Sequence, residues 1–196
     1  LGLMYIPHFF TLLFIFSLQT MAQELPFSSI AAAPQDYTAG NSISRMIQGL
    51  GFRYHWATQG LRAEDLEYRP TKEAQSTLGT LQHIYGLTKT ILNAAKNEAS
   101  KRLAPSPPDN LEALRAATLK DLQQAATLFL NYSEDEIEGL NIIFEREGKQ
   151  SRFPVWNLIN GPIADALYHT GQVVSFRRTS GNPIPKGVNV FLGVKN

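Results

Sequence analysis

Apolar residues recur along this chain at the three- and four-residue steps of a helix in four separate stretches. In the first, Ile43, Met46, Ile47, Leu50, Tyr54, Ala57 and Leu61 mark one face of a helix from about Asn41 to Leu61, capped by Asn41 or Ser42. The segment Ala63 to Lys72 reads as a loop. Ser76 then caps a second helix, roughly Ser76 to Asn97, with Thr80, Ile84, Leu87, Ile91, Ala94 and Ala95 as its stripe. Pro105-Ser106-Pro107-Pro108 is a hard break. Beyond it, Asp109 with Glu112 forms a capping-box-like start to a third helix that runs to about Asn131.

The texture changes over residues 140–155, where two short strand-like runs flank Gly148 and predict a hairpin. A fourth helix is expected from near Pro154 to near Arg178. Pro162 should kink it or mark where it restarts, because proline cannot donate to Leu158. Arg177 and Arg178 suit its C-terminus, Gly181 suits its stop, and Asn182-Pro183-Ile184-Pro185 begins an extended tail. Four helices of about twenty residues predict an all-α fold, a four-helix bundle of antiparallel type, with a small β-hairpin between helices 3 and 4. The sequence alone does not fix the connectivity.

Two stretches precede the first helix. Phe9 to Leu18 is an apolar run of signal-peptide length, short for a membrane span. Thr20 and Ala22 fill the outer positions of an A-x-A-like cleavage site, so residues 1–22 are expected to be a signal peptide cleaved after Ala22. No Lys or Arg precedes the run, and the runner-up is an uncleaved N-terminal anchor. Residues 23–40 hold two prolines and three consecutive alanines and read as a linker. The domain proper is then 41–196. The expected location is periplasmic or secreted, with no stable membrane span in the mature chain.

Composition narrows the functions. With 43% hydrophobic residues among 196, the chain can build one core. A net charge of +1 gives no basic field for nucleic acid. The absence of cysteine excludes a disulfide framework, a thiolate zinc site and a cysteine nucleophile. There is no Gly-x-Ser-x-Gly and no phosphate-binding glycine loop. No second carboxylate suited to glycoside hydrolysis can be identified.

What remains is a set of side chains suited to a metal. Asp165 and His169 stand four residues apart, one turn on one helix face, and Gln172 and Phe176 continue that stripe. A simple hydrogen bond between them is the plainer alternative. Of the four histidines, His8 lies in the expected signal peptide. His83 falls inward or at the edge of the second helix's stripe. His55 lies well off its stripe and is expected on the surface or at an interface.

The segments Leu81-Gln82-His83-Ile84, Asp165 to Gln172 and Phe176-Arg177-Arg178, with Arg69-Pro70 ahead of the second helix, resemble the DinB-like family. The resemblance spans about Asn41 to Arg178. It implies a four-helix bundle holding a divalent metal through three side chains, here His83, Asp165 and His169. Position 165 is most often His in that family. An Asp gives a two-His-one-carboxylate set, harder and more anionic, with open positions for water. The metal would be zinc, nickel, iron or manganese. The family includes thiol-dependent transferases and isomerases, whose thiol cofactors belong mostly to the cytoplasm, and export argues against simple transfer of that chemistry. Two classes stay open: a metal-dependent transferase or hydrolase acting on a small molecule, and a non-catalytic exported bundle whose metal stabilises the fold. A homodimer is a candidate assembly for either.

Overall fold

The computed structural model describes residues 2, 24–101 and 106–196. The expected signal peptide, apart from Gly2, and its cleavage site lie outside the described residues. The chain is mostly helical, with two small sheets. Long helices α1 (Ala39–Thr58), α3 (Thr77–Ala95), α4 (Leu111–Asn131) and α6 (Ala164–Thr179) surround the core. Between them lie the short helices α2 (Ala63–Glu67) and α5 (Glu134–Gly139). No described helix is long and apolar enough to cross a membrane.

The helix ends follow local chemistry. Thr38, not Asn41 or Ser42, caps α1, its Oγ1 accepting from the Asn41 amide at 3.1 Å. The helix stops at Thr58, short of Leu61, because Gly60 turns the chain at φ 71°. Ser76 caps α3 as its sequence suggests, and Asn110 rather than Asp109 caps α4. The expected loop after α1 contains α2, opened by Asp65 accepting from the Arg62 amide at 2.8 Å. A capping box of Ser133 and Glu136 starts α5.

Packing gives the connectivity that periodicity could not. Helix α1 packs on α4 and α6, and α3 packs on the same two. Ser44 donates to the Ala126 carbonyl and Tyr54 to Thr118, so α1 and α4 run antiparallel. Lys89 pairs with Asp121 and Tyr132 reaches the Ala95 carbonyl, so α3 and α4 run parallel. Parallel neighbours need a long return, and the α3–α4 connection supplies it. Strand β1 (Ala99–Lys101) lies on that return and pairs in parallel with β2 (Asn141–Arg146). Strand β3 (Lys149–Pro154) closes the expected hairpin on β2. Its turn residues Glu147 and Gly148 have φ 52° and 76°, the left-handed pair that a two-residue hairpin loop needs. Leu50, Ile84, Ile91, Leu114, Leu122, Phe129 and Val173 are fully buried, each stabilising the fold by roughly 1.5–3 kcal/mol.

Two expectations need refinement. Pro154 itself ends β3, and the fourth helical stretch begins three residues on, at Asn157. It runs into a π-helical turn, Ile159–Ile163, where Gly161 leaves helical geometry at φ −98°, ψ −108°, the break expected at Pro162. Pro162 has no amide hydrogen for the ladder, so the helix restarts after it and puts Asp165 in the first turn of α6. The first part of the stretch expected as a linker, Leu25 to Ile30, packs on the fold, while residues 31–37 are exposed. Leu25 and Phe27 lie against the core, and Phe27 fills the space that a side chain at Gly51 would need. At the other terminus, β4 (Val188–Asn189) and β5 (Val194–Lys195) pair antiparallel. The Ile30 amide donates to the Gly193 carbonyl, tying the two ends of the described chain together.

Candidate metal centre

Helices α3 and α6 run antiparallel and in contact, which brings His83 opposite the first turns of α6. There His83, Asp165 and His169 converge, with one ligand atom from each lying within 4.8 Å of the others. Asp165 spans the two histidines. Its Oδ2 is 3.3 Å from His83 Nε2 and its Oδ1 is 3.2 Å from His169 Nε2. The two imidazole rings sit 4.6 Å apart at 85°.

The environment of the cluster decides what it can do. His83 and Asp165 keep 41% and 43% of their side-chain surface and His169 keeps 19%, so the cluster opens to solvent at His83 and Asp165. On the protein side, His169 Nδ1 donates to Gln172 Oε1 at 2.7 Å, one turn along α6. That bond puts the proton on Nδ1 and leaves the Nε2 lone pair facing Asp165 and His83. Ligand atoms on an ion with bonds of about 2.0–2.2 Å stand roughly 3–3.5 Å apart. Each histidine approaches a different Asp165 oxygen at such a distance and the three side chains converge, so this His/Asp/His group could hold a metal ion.

The family model for DinB matches residues 53–188, from within α1 to the tail beyond α6. The chain belongs to the DinB family. No curated protein and no solved structure matches it. Gln172 has a physical role beyond continuing a stripe, because its bond to Nδ1 orients the His169 ring.

His55, expected on the surface or at an interface, is 5% exposed within the chain itself. The chain around Pro26 covers that face of α1. His55 Nδ1 lies 2.8 Å from the Pro26 carbonyl, and Trp56 Nε1 donates to the Ser28 carbonyl at 3.2 Å. Burial pushes the His55 pKa down, and this residue takes no part in the cluster. Helical periodicity could not reveal the covering segment, because that segment has no period of its own.

A second polar group, at the C-terminal end of α6, escaped sequence reasoning. Arg177 is buried and donates to the Ala57 and Gln59 carbonyls at 3.0 and 2.8 Å and to the Asn182 carbonyl at 2.8 Å. From α4, buried Arg115 donates to Thr58 Oγ1 and the His55 carbonyl. Two guanidiniums thus satisfy the C-terminus of α1, where the helix dipole is negative. Beside them, buried Asp65 accepts from Arg62, Ser180 Oγ and Asn182 Nδ2. The Arg62 side chain is the main reason that its carboxyl is held well below the usual carboxylate range. The run Arg177-x-x-Ser180-Gly181-Asn182 was the available signal.

Proposed function

We propose that this DinB family member binds one divalent metal through His83, Asp165 and His169, and acts as a metal-dependent transferase or hydrolase on a small molecule. The observation that carries the reading is the solvent-open placement of three converging ligand atoms above a core that is closed without them. A structural zinc has four protein ligands and no free position, whereas three ligands at an exposed site leave room for substrate. A divalent ion held there would act as a Lewis acid, polarising a substrate oxygen or lowering the pKa of a water or thiol. His83 and His169 offer neutral nitrogens, Asp165 offsets part of the cation's charge, and Gln172 fixes the His169 ring. The four long helices form the family's four-helix bundle in this reading, with export as its setting.

Competition titrations with zinc, manganese and iron(II) on the wild type and Asp165→His test the site. A carboxylate favours harder ions than imidazole does. Asp165→His is therefore expected to move the ranking toward zinc or nickel. Identical rankings would leave Asp165 outside the ligand set. Export is tested separately by N-terminal sequencing of protein from the host's envelope, with Gln23 expected as the first residue and an intact N-terminus in the cytosol contradicting it.

A further inference from the structure

The opposite face of α6 borders a groove of about 1000 Å³, walled by α1, α6, the covering segment and the C-terminal tail. None of the three metal-site residues lines it. Met46, Leu167, Val174, Ile184 and Phe191 give it apolar walls, and Phe191 is 93% exposed. Arg45, Arg53 and Arg178 also line it. Among the described residues none of these three forms an ion pair. Arg45 spends one nitrogen on the Ala31 carbonyl and Arg53 one on its own helix at Gly49. Among the described residues, Asp36 is the one carboxylate on the lining.

Two of the three guanidiniums lie together at one end of the groove, while Arg45, one turn from Ser42, lies nearer the other and is partly spent on the Ala31 carbonyl. Arg177 bonds the carbonyls at the end of α1, so α1 and α6 run parallel there and Arg53 and Arg178 share one end. Asp36 accepts through its backbone carbonyl from Asn41, near the start of α1, and so lies toward the other end. From Ser42 to Arg53 the α1 wall runs about 16 Å. Two glycines keep the groove wide. A Cβ at Gly171 would meet nothing within 4 Å, and one at Gly49 would meet only the Arg53 guanidinium at 3.5 Å. Neither packing nor a positive φ demands glycine at either place, and glycine is unfavourable inside a helix. Both line the groove, where a side chain would narrow it.

We infer that this groove binds an elongated organic anion, with a carboxylate or phosphate head at Arg53 and Arg178 and an apolar body along Met46, Leu167 and Val174. Unpaired guanidiniums at one end of an apolar channel match that division of charge, and guanidinium is the side chain best suited to such heads.

The test is calorimetric titration of the full chain with decanoate below its micellar concentration, beside decanol and decyltrimethylammonium. Saturable one-to-one binding of decanoate is expected, about tenfold or more tighter than either control. Arg53→Gln with Arg178→Gln should erase that preference. Gly171→Leu should abolish binding while leaving helix content and metal stoichiometry unchanged, because a Cβ there meets nothing within 4 Å and the position faces the groove. Equal binding of the three amphiphiles, no binding of decanoate, or binding indifferent to Gly171→Leu would each overturn the proposal. So would co-sedimentation with phosphatidylglycerol vesicles that Gly171→Leu leaves intact, since the arginines would then serve a membrane surface.

Discussion

At the C-terminal end of α6, Asp65 is buried and accepts from Arg62, Ser180 and Asn182, while Arg177 beside it is spent on backbone carbonyls. Near the N-terminal end of the same helix, Asp165 is 43% exposed and meets only His83 and His169 among the described residues. Both clusters hold a carboxylate among cationic or cation-capable groups. The first has every partner it needs from the chain, and it ties α2, the end of α1 and the tail to α6. The second holds each carboxylate oxygen within 3.3 Å of an imidazole nitrogen in a place where water can enter. Complete hydrogen bonding in a buried setting marks a group that holds the fold, and convergent metal-ligand side chains open to solvent mark a candidate ligand site.

Breaking the buried cluster should have the largest effect. Asp65→Ala leaves Arg62, Ser180 and Asn182 without their common acceptor, and about 3 kcal/mol of stability should be lost in urea denaturation. A loss under about 1 kcal/mol would mean that water replaces the carboxylate and that the two clusters differ less than drawn.

Gln172→Leu sharpens the comparison from the other side. It removes the acceptor that fixes the His169 tautomer, and metal affinity should fall about 10–100-fold in competition with a chromophoric chelator. Urea stability of the metal-free protein should hardly change. An unchanged affinity would show that the His169 ring is oriented by packing alone.

The pH response separates the two regions again. Burial holds the His55 pKa below its ordinary 6.5. The unfolded chain therefore takes up a proton where the folded chain does not. Stability present above pH 6.5 should be lost as pH falls below it, and His55→Gln should flatten that slope in chelator-treated protein. Asp65 acts lower. Its depressed pKa contributes stability that is present above the ordinary carboxylate value of 3.8 and is lost as pH falls further. The smallest effect is expected for Asp165→Ala in metal-free protein, within about 0.5 kcal/mol of wild type, as for other exposed polar substitutions.

Periodicity carried much of this structure. The stripe through Ile47, Leu50 and Tyr54 lies in the core as its spacing requires, and the glycine hairpin sits at residue 148. The i,i+4 spacing of Asp165 and His169 needed only that their segment be helical. What stayed hidden depends on contacts far apart in the chain. The parallel pairing of β1 with β2, the burial of His55 under Pro26, and the meeting of Asp65 with Asn182 leave no periodic trace. The restart at Pro162 was legible from proline chemistry, whereas the start moved from Pro154 to Asn157 because Pro154 is taken up in the pairing of β3 with β2.

The central claim is that His83, Asp165 and His169 form one metal site, and metal stoichiometry tests it most directly. Purified wild type, His83→Ala and His169→Ala would be stripped with chelator, reloaded with zinc, manganese or iron(II), and assayed for bound metal by elemental analysis. The wild type should retain one equivalent of its preferred ion, and neither variant should retain a stoichiometric amount while both keep wild-type helix content. Full metal content in both variants, or none in the wild type with every ion tried, would contradict the account.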